Sequence, residues 1–119
     1  MKDQLDSLEY SYDRFVSILG NDVSALSNER INELRWIIQG LDNVLIDLAY
    51  DGIDVSIFDR ERAQFYESLY RLEQEFRDWQ QYVHSPSTSL LESYTLVRMF
   101  ARILDQFITE VRYQCDYPD

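Results

Sequence analysis

Six aliphatic residues, Ile31, Leu34, Ile38, Leu41, Leu45 and Leu48, recur at alternating steps of three and four without a break. This period matches the turn of an α-helix, so all six lie on one side and the opposite side is left to water. A chain with such a segment must bring another apolar surface to cover it. Three further runs have the same spacing: Leu5, Leu8, Tyr12, Phe15 and Leu19; Phe58, Phe65, Leu69, Leu72, Phe76, Trp79 and Val83, with the polar Arg62 in the gap; and Leu90, Tyr94, Val97, Ala101, Leu104, Ile108, Val111 and Cys115. Leu96, Phe100, Ile103 and Phe107 widen the last stripe, which makes this the helix expected to be most buried.

The punctuation between the runs agrees with this reading. Gly20-Asn21 ends the first helix, Ser27 or Asn28 caps the second, and Gly52 stops it. Ser56 with Asp59, and Ser89 with Glu92, have the spacing of capping boxes for the third and fourth. Pro86 cannot continue a helix through His84–Thr88. The expected helices cover about 3–19, 28–50, 57–84 and 89–115.

With 45% hydrophobic residues, three glycines and two prolines, the chain is neither a disordered segment nor a turn-rich β-sandwich. Its 119 residues suit one domain, and neither an internal repeat nor a low-complexity segment interrupts them. The expected fold class is therefore all-α: a single-domain four-helix bundle over 1–119, up-down-up-down and antiparallel because the connections are short. Helices of roughly 17, 22, 27 and 26 residues would differ in length by up to about 14 Å. Either a second copy or partner helix covers the excess on helices 3 and 4, or the loops fill it.

Chemistry is harder to place. His84 is the one histidine, with no glutamate three residues before it, so the inward Glu-x-x-His pairs of di-iron bundles are missing. A place beside the last carbonyls of helix 3 is its simpler role. Gly20, Gly40 and Gly52 are too dispersed for a phosphate loop. Cys115 is alone, which excludes an internal disulfide, and reads as the last core position of helix 4. Glu73/Glu75 and Asp59/Glu61 stand two apart and diverge on a helix. No enzyme, metal or cofactor is expected. Gly40, inside the most regular stripe, reads as a point where another helix backbone comes close. Trp79 lies in its stripe and should be buried; Trp36, off the main seam, is the better interface candidate of the two, although a core position is the favoured reading for it as well.

Charge narrows the partner. Twenty-two acids against eleven bases give a net charge of −11. Nucleic acid and anionic membranes are poor partners for such a chain, because binding them requires Lys and Arg to displace counterions. Spread evenly, the excess would amount to about one charge per 600 Å², against about one per 100 Å² on duplex DNA, so only clustering would matter. It does cluster. Between Arg35 and Arg60 lie five acids, Asp42, Asp47, Asp51, Asp54 and Asp59, and no base. An up-down bundle gathers the last four of these with Asp3, Asp6 and Asp116 at one pole, where acids outnumber Lys2, Arg60, Arg62 and Arg112. Asp47 and Asp51 sit in the last turn of helix 2, where the helix dipole disfavours an acid. Such a choice marks either a functional surface or simple solubility. Arg98 and Arg102 on helix 4 could pair with Asp105 or a neighbouring helix.

The expected function is that of a non-enzymatic acidic binding protein. It would dock on a basic surface of another protein through Asp47, Asp51, Asp54, Asp59, Asp116, Tyr117 and Trp36, and so inhibit a nucleic-acid-handling partner in the manner of immunity, antitoxin or anti-defence proteins. The alternative is a structural or adaptor subunit that self-associates, as a homodimer, or joins a complex through helices 3 and 4. No signal peptide or membrane span is read, which makes a cytoplasmic setting the expectation.

Overall fold

The structure, a computed structural model, describes residues 2–82 and 87–116. Four helices fill them: α1 (Lys2–Leu19), α2 (Asn28–Tyr50), α3 (Ser56–Tyr82) and α4 (Thr88–Asp116), with a short 3-10 turn at Val23–Ala25. No strand occurs among the described residues, and the protein is all-α. The helix contacts fit a bundle, since α1 packs on α2 and α4, and α3 on α4 and, least extensively, α2. The molecule measures 56 × 22 × 19 Å. Val83, His84, Pro86 and Tyr117, with the roles expected of them, lie outside the described residues, as do the side chains of Cys115 and Asp116.

Helix α2 starts and stops where its local chemistry dictates. The Ser27 hydroxyl accepts the Arg30 N–H at 3.1 Å, and Gly52 takes a φ of +92° past the last turn. Gly52 N–H then donates to Ala49 O at 3.1 Å and Ile53 N–H to Leu48 O at 2.9 Å, the pair of bonds that closes a Schellman motif. Ile53 and Leu48 are both buried, so the motif carries its usual apolar contact and turns the chain toward α3.

Two capping expectations are corrected. At α3 the Ser56 hydroxyl is not an acceptor for Asp59 N–H; it donates to Asp54 at 2.7 Å, while Asp59 pairs with Arg62. At α4 the cap is Ser87, not Ser89: its hydroxyl accepts Leu90 N–H at 3.1 Å and the helix opens at Thr88. Three hydroxyl residues in a row are equivalent in propensity, and the burial of Leu90 selects the one that sets the register.

The end of α1 is held by its neighbours. Gly20, with φ +72°, turns the chain so tightly that a Cβ there would stand 2.7 Å from that of Ala25. Asp22 accepts Ser24 N–H at 3.2 Å and starts the 3-10 turn, which the sequence pattern did not indicate. The exposed carbonyls are met from other helices: Arg30 reaches Ile18 O at 3.1 Å, the buried Tyr94 hydroxyl lies 3.0 Å from Leu19 O and 3.1 Å from Gly20 O, and Arg98 reaches Asn21 O at 3.4 Å. Burial raises the Tyr94 pKa above the usual phenol value, with Arg98 opposing and Asp22 adding to the shift. Arg98 also lies over the Tyr94 ring, so the expected pairing of Arg98 with Asp105 is replaced by backbone capping, and no described acid pairs with Arg102.

All six stripe residues of α2 are buried. Facing them, Phe15, Phe65 and Phe100 meet edge-on or tilted with centroids 4.3 to 5.9 Å apart, and Phe58 stacks on Phe107 at 4.5 Å. Such aromatic contacts add about 0.5–1.5 kcal/mol per pair beyond burial. Helix α4 contributes more buried side chains than any other, as expected, but Leu96 is exposed and does not widen its stripe. Trp79 is only half-buried, packed against the core beside Phe76. The inner apolar residues of α3 and α4 do not lack cover: Leu72, Phe76 and Leu90 are buried in one cluster with Val23 and Leu26 from the α1–α2 connection.

Candidate functional site

Opposite its buried row, α2 presents Trp36, Gly40, Asp47, Tyr50 and Asp51, all exposed. Steps of four, seven and three keep Trp36, Gly40, Asp47 and Tyr50 near one line of the helix, and Asp51, its C-cap, follows one turn after Asp47. Trp36 is 67% exposed and Tyr50 91%. The core position favoured for Trp36 is therefore corrected: its ring stands off the buried row and is left to solvent. Gly40 is also corrected: nothing lies within 4 Å of a Cβ built on it, so no helix of this chain comes close there. A glycine at an open helical position gives up about 1 kcal/mol relative to alanine with no packing return inside the molecule.

Alongside, α1 sets Asp6, Tyr10 and Arg14 one turn apart. Between the two helices runs an open groove of about 480 Å³, walled by Tyr10 and Trp36, with Ile37, Gly40 and Val44 on the α2 side and Asp6 toward one end. Tyr10 is 70% exposed. At the other end Arg14 pairs with Glu33 at 3.2 Å, so that part of the groove is electrically neutral.

The seven residues expected to bind a partner divide into groups. Asp47 and Asp51 stand one turn apart at the end of α2, exposed, and no described basic side chain pairs with either. Asp54 and Asp59 are exposed but already engaged. The Asp54 carboxylate accepts the Ser56 hydroxyl at 2.7 Å and its N–H at 3.0 Å, and these two bonds hold its pKa below the ordinary carboxylate value. Asp59 bonds Arg62 at 2.7 Å, and Arg62 also pairs with Asp42 of α2. Trp36 lies 11 residues before Asp47, about 16 Å away along the same helix, on the same face but not at the pole.

One residue was missed. Asp54 shares a small cleft with Gln106, Glu110 and Gln114 of α4, which brings Glu110 to the acidic end. The i, i+4, i+8 spacing of those three α4 residues was the available signal. Among the described residues no group of three or more His, Cys, Asp or Glu side chains is placed to hold a metal ion, and no helix is long and apolar enough to cross a membrane. Compared with known proteins, the chain gives no significant match to a family model, a curated protein or a solved structure.

Proposed function

We propose that the protein is a non-enzymatic binding protein that docks the acidic, aromatic-bearing side of α1 and α2 on a basic surface of another protein, and that it inhibits a nucleic-acid-handling partner by covering that surface. The observation that carries the reading is the state of Asp47 and Asp51: both are exposed, both are without a described cation, and both stand at the helix end where the dipole opposes them, beside an almost fully exposed Tyr50. Opposite charge would steer a basic partner onto this end and make association fast and salt-sensitive. The reading takes the bundle as up-down-up-down and antiparallel, supported by contacts such as Glu9–Arg112, Phe15–Phe100 and Leu19–Tyr94, in which numbering falls on α4 as it rises on α1. Nucleic acid and membranes are not direct partners in this reading, and the setting is cytoplasmic.

Affinity purification from the native host, run at low and high salt with mass spectrometry, tests it. A basic partner released by rising salt is the expected result. A partner that is not basic, or that stays bound at high salt, overturns it. A second reading, an adaptor that self-associates through its later helices, draws on the exposed Leu91, Leu96 and Met99 of α4. Its signature is a light-scattering mass above one chain that ignores salt and falls to one chain in Leu96→Ser with Met99→Ser.

A further inference from the structure

The α1–α2 groove combines three features that occur together nowhere else among the described residues. Its walls are large exposed aromatics, Tyr10 and Trp36. Its floor contains Gly40, where the space a side chain would fill is empty. Its open end leads to acids, with Asp6 on the groove itself and Asp47 one turn beyond Val44. Exposed Trp and Tyr beside a vacant pocket are the composition of an interface hot spot, in which a large residue of the partner inserts between rings and water is excluded around it. A glycine on an outward helix face also lets a second helix backbone come closer than any side chain would permit.

We propose that this groove is the anchor site for an amphipathic basic helix of the partner protein. One large aliphatic side chain of that helix seats over Gly40 between Trp36 and Tyr10, while its Lys and Arg residues reach Asp6, Asp47 and Asp51. Charge complementarity selects this occupant: the unpaired charges at the open end are acidic, and the one base on the groove, Arg14, is neutralised by Glu33. A helix suits the site because the groove follows two parallel-sided helices and is open along its length, where i, i+3 and i+4 anchors from a third helix can enter. The inference rests on the proposed docking of a basic partner and adds where, and by what shape, that partner is held.

The experiment uses the full chain carrying Trp79→Phe, which leaves Trp36 as the one indole reporting on binding. Three helical peptides of about 18 residues serve as probes: one with Lys and Arg flanking a central Leu pair, the same peptide with Ala in place of Leu, and an acidic counterpart. The Leu peptide is expected to shift Trp36 emission to shorter wavelength and to bind about tenfold or more tighter than the Ala peptide. Gly40→Leu, whose Cβ meets no neighbour within 4 Å and whose remaining atoms would fill the groove, is expected to remove that tenfold preference without lowering the unfolding temperature. Asp47→Asn with Asp51→Asn is expected to weaken both basic peptides together and to flatten their salt dependence. If the two basic peptides bind equally, with salt sensitivity but no response to Gly40→Leu, the anchor site is overturned and the acidic docking reading stands. If no basic peptide binds, or the acidic one binds as well, both fail.

Discussion

Helix α2 has two flanks that the chain treats in opposite ways. Toward α3 the seam is closed by ions: Arg62 lies between Asp42 and Asp59, and Arg35 and Arg77 both pair with Glu73, whose side chain is only 15% exposed. Toward α1 one exposed ion pair, Arg14–Glu33, stands at one end, while Ile37 and Val44 pack on the core and the stretch beside Trp36 and Tyr10 is left open. The closed flank explains why Arg62 interrupts the stripe of α3, since its guanidinium is needed across the seam. It also shows that an acid-rich stretch contains two populations. Asp42, Asp54 and Asp59 are engaged in building the fold; Asp47 and Asp51 are not.

Mutations can break this contrast or sharpen it. Leu41→Ala, in the buried row that serves both flanks, sets the scale, with an expected loss of about 2–5 kcal/mol in denaturant unfolding. A smaller loss would mean that the core closes over the gap and the flanks are less independent than described. On the closed flank, Arg62→Ala is expected to cost about 1–2 kcal/mol, because it removes two ion pairs and a mostly buried stem. Arg62→Met keeps the stem and should recover much of that loss, which separates packing from charge.

On the open flank the sign reverses. Gly40→Ala should raise stability by about 1 kcal/mol, since the new methyl has free space and helix propensity improves. Destabilisation there would refute the openness of the groove. Asp47→Asn with Asp51→Asn should leave stability unchanged or raise it by about 0.3–1 kcal/mol, because both charges oppose the dipole of α2. The last effect is one of pH. The folded state depresses the Asp54 pKa, so its contribution is present above the ordinary value of 3.8 and is lost as pH falls through the lower folded value. Asp54→Asn should lower the melting temperature slightly near neutral pH, where the contribution is present, and leave it unchanged in acid below the folded pKa, so that the two curves converge as pH falls, as thermal melts across pH would record.

The helices themselves were readable because each depends on neighbours in sequence. The ends of α2 at Asn28 and Tyr50 follow from Ser27 and Gly52, and the buried row follows from spacing alone. Less of the site was legible. The position of Asp47 and Asp51 at a helix end is a local fact and was read correctly, but whether a cation stands opposite an acid depends on another helix. Asp59 and Asp54 were therefore grouped with free acids although both are engaged. Val23 and Leu26 have too few apolar partners in sequence to announce core residues, yet both are buried in the core cluster. Glu110 was overlooked because its closeness to Asp54 is a contact across two helices.

What the sequence determined by itself is the number of helices, their register and the abundance of negative charge, since periodicity, caps and composition act over a few residues at a time. Tertiary structure alone decided which of those charges are neutralised and that the face of α2 bearing Trp36 and Gly40 is left bare. The reason is geometric. A side chain's own helix determines the direction in which it points, but only the packing of a second helix determines whether anything is there to meet it.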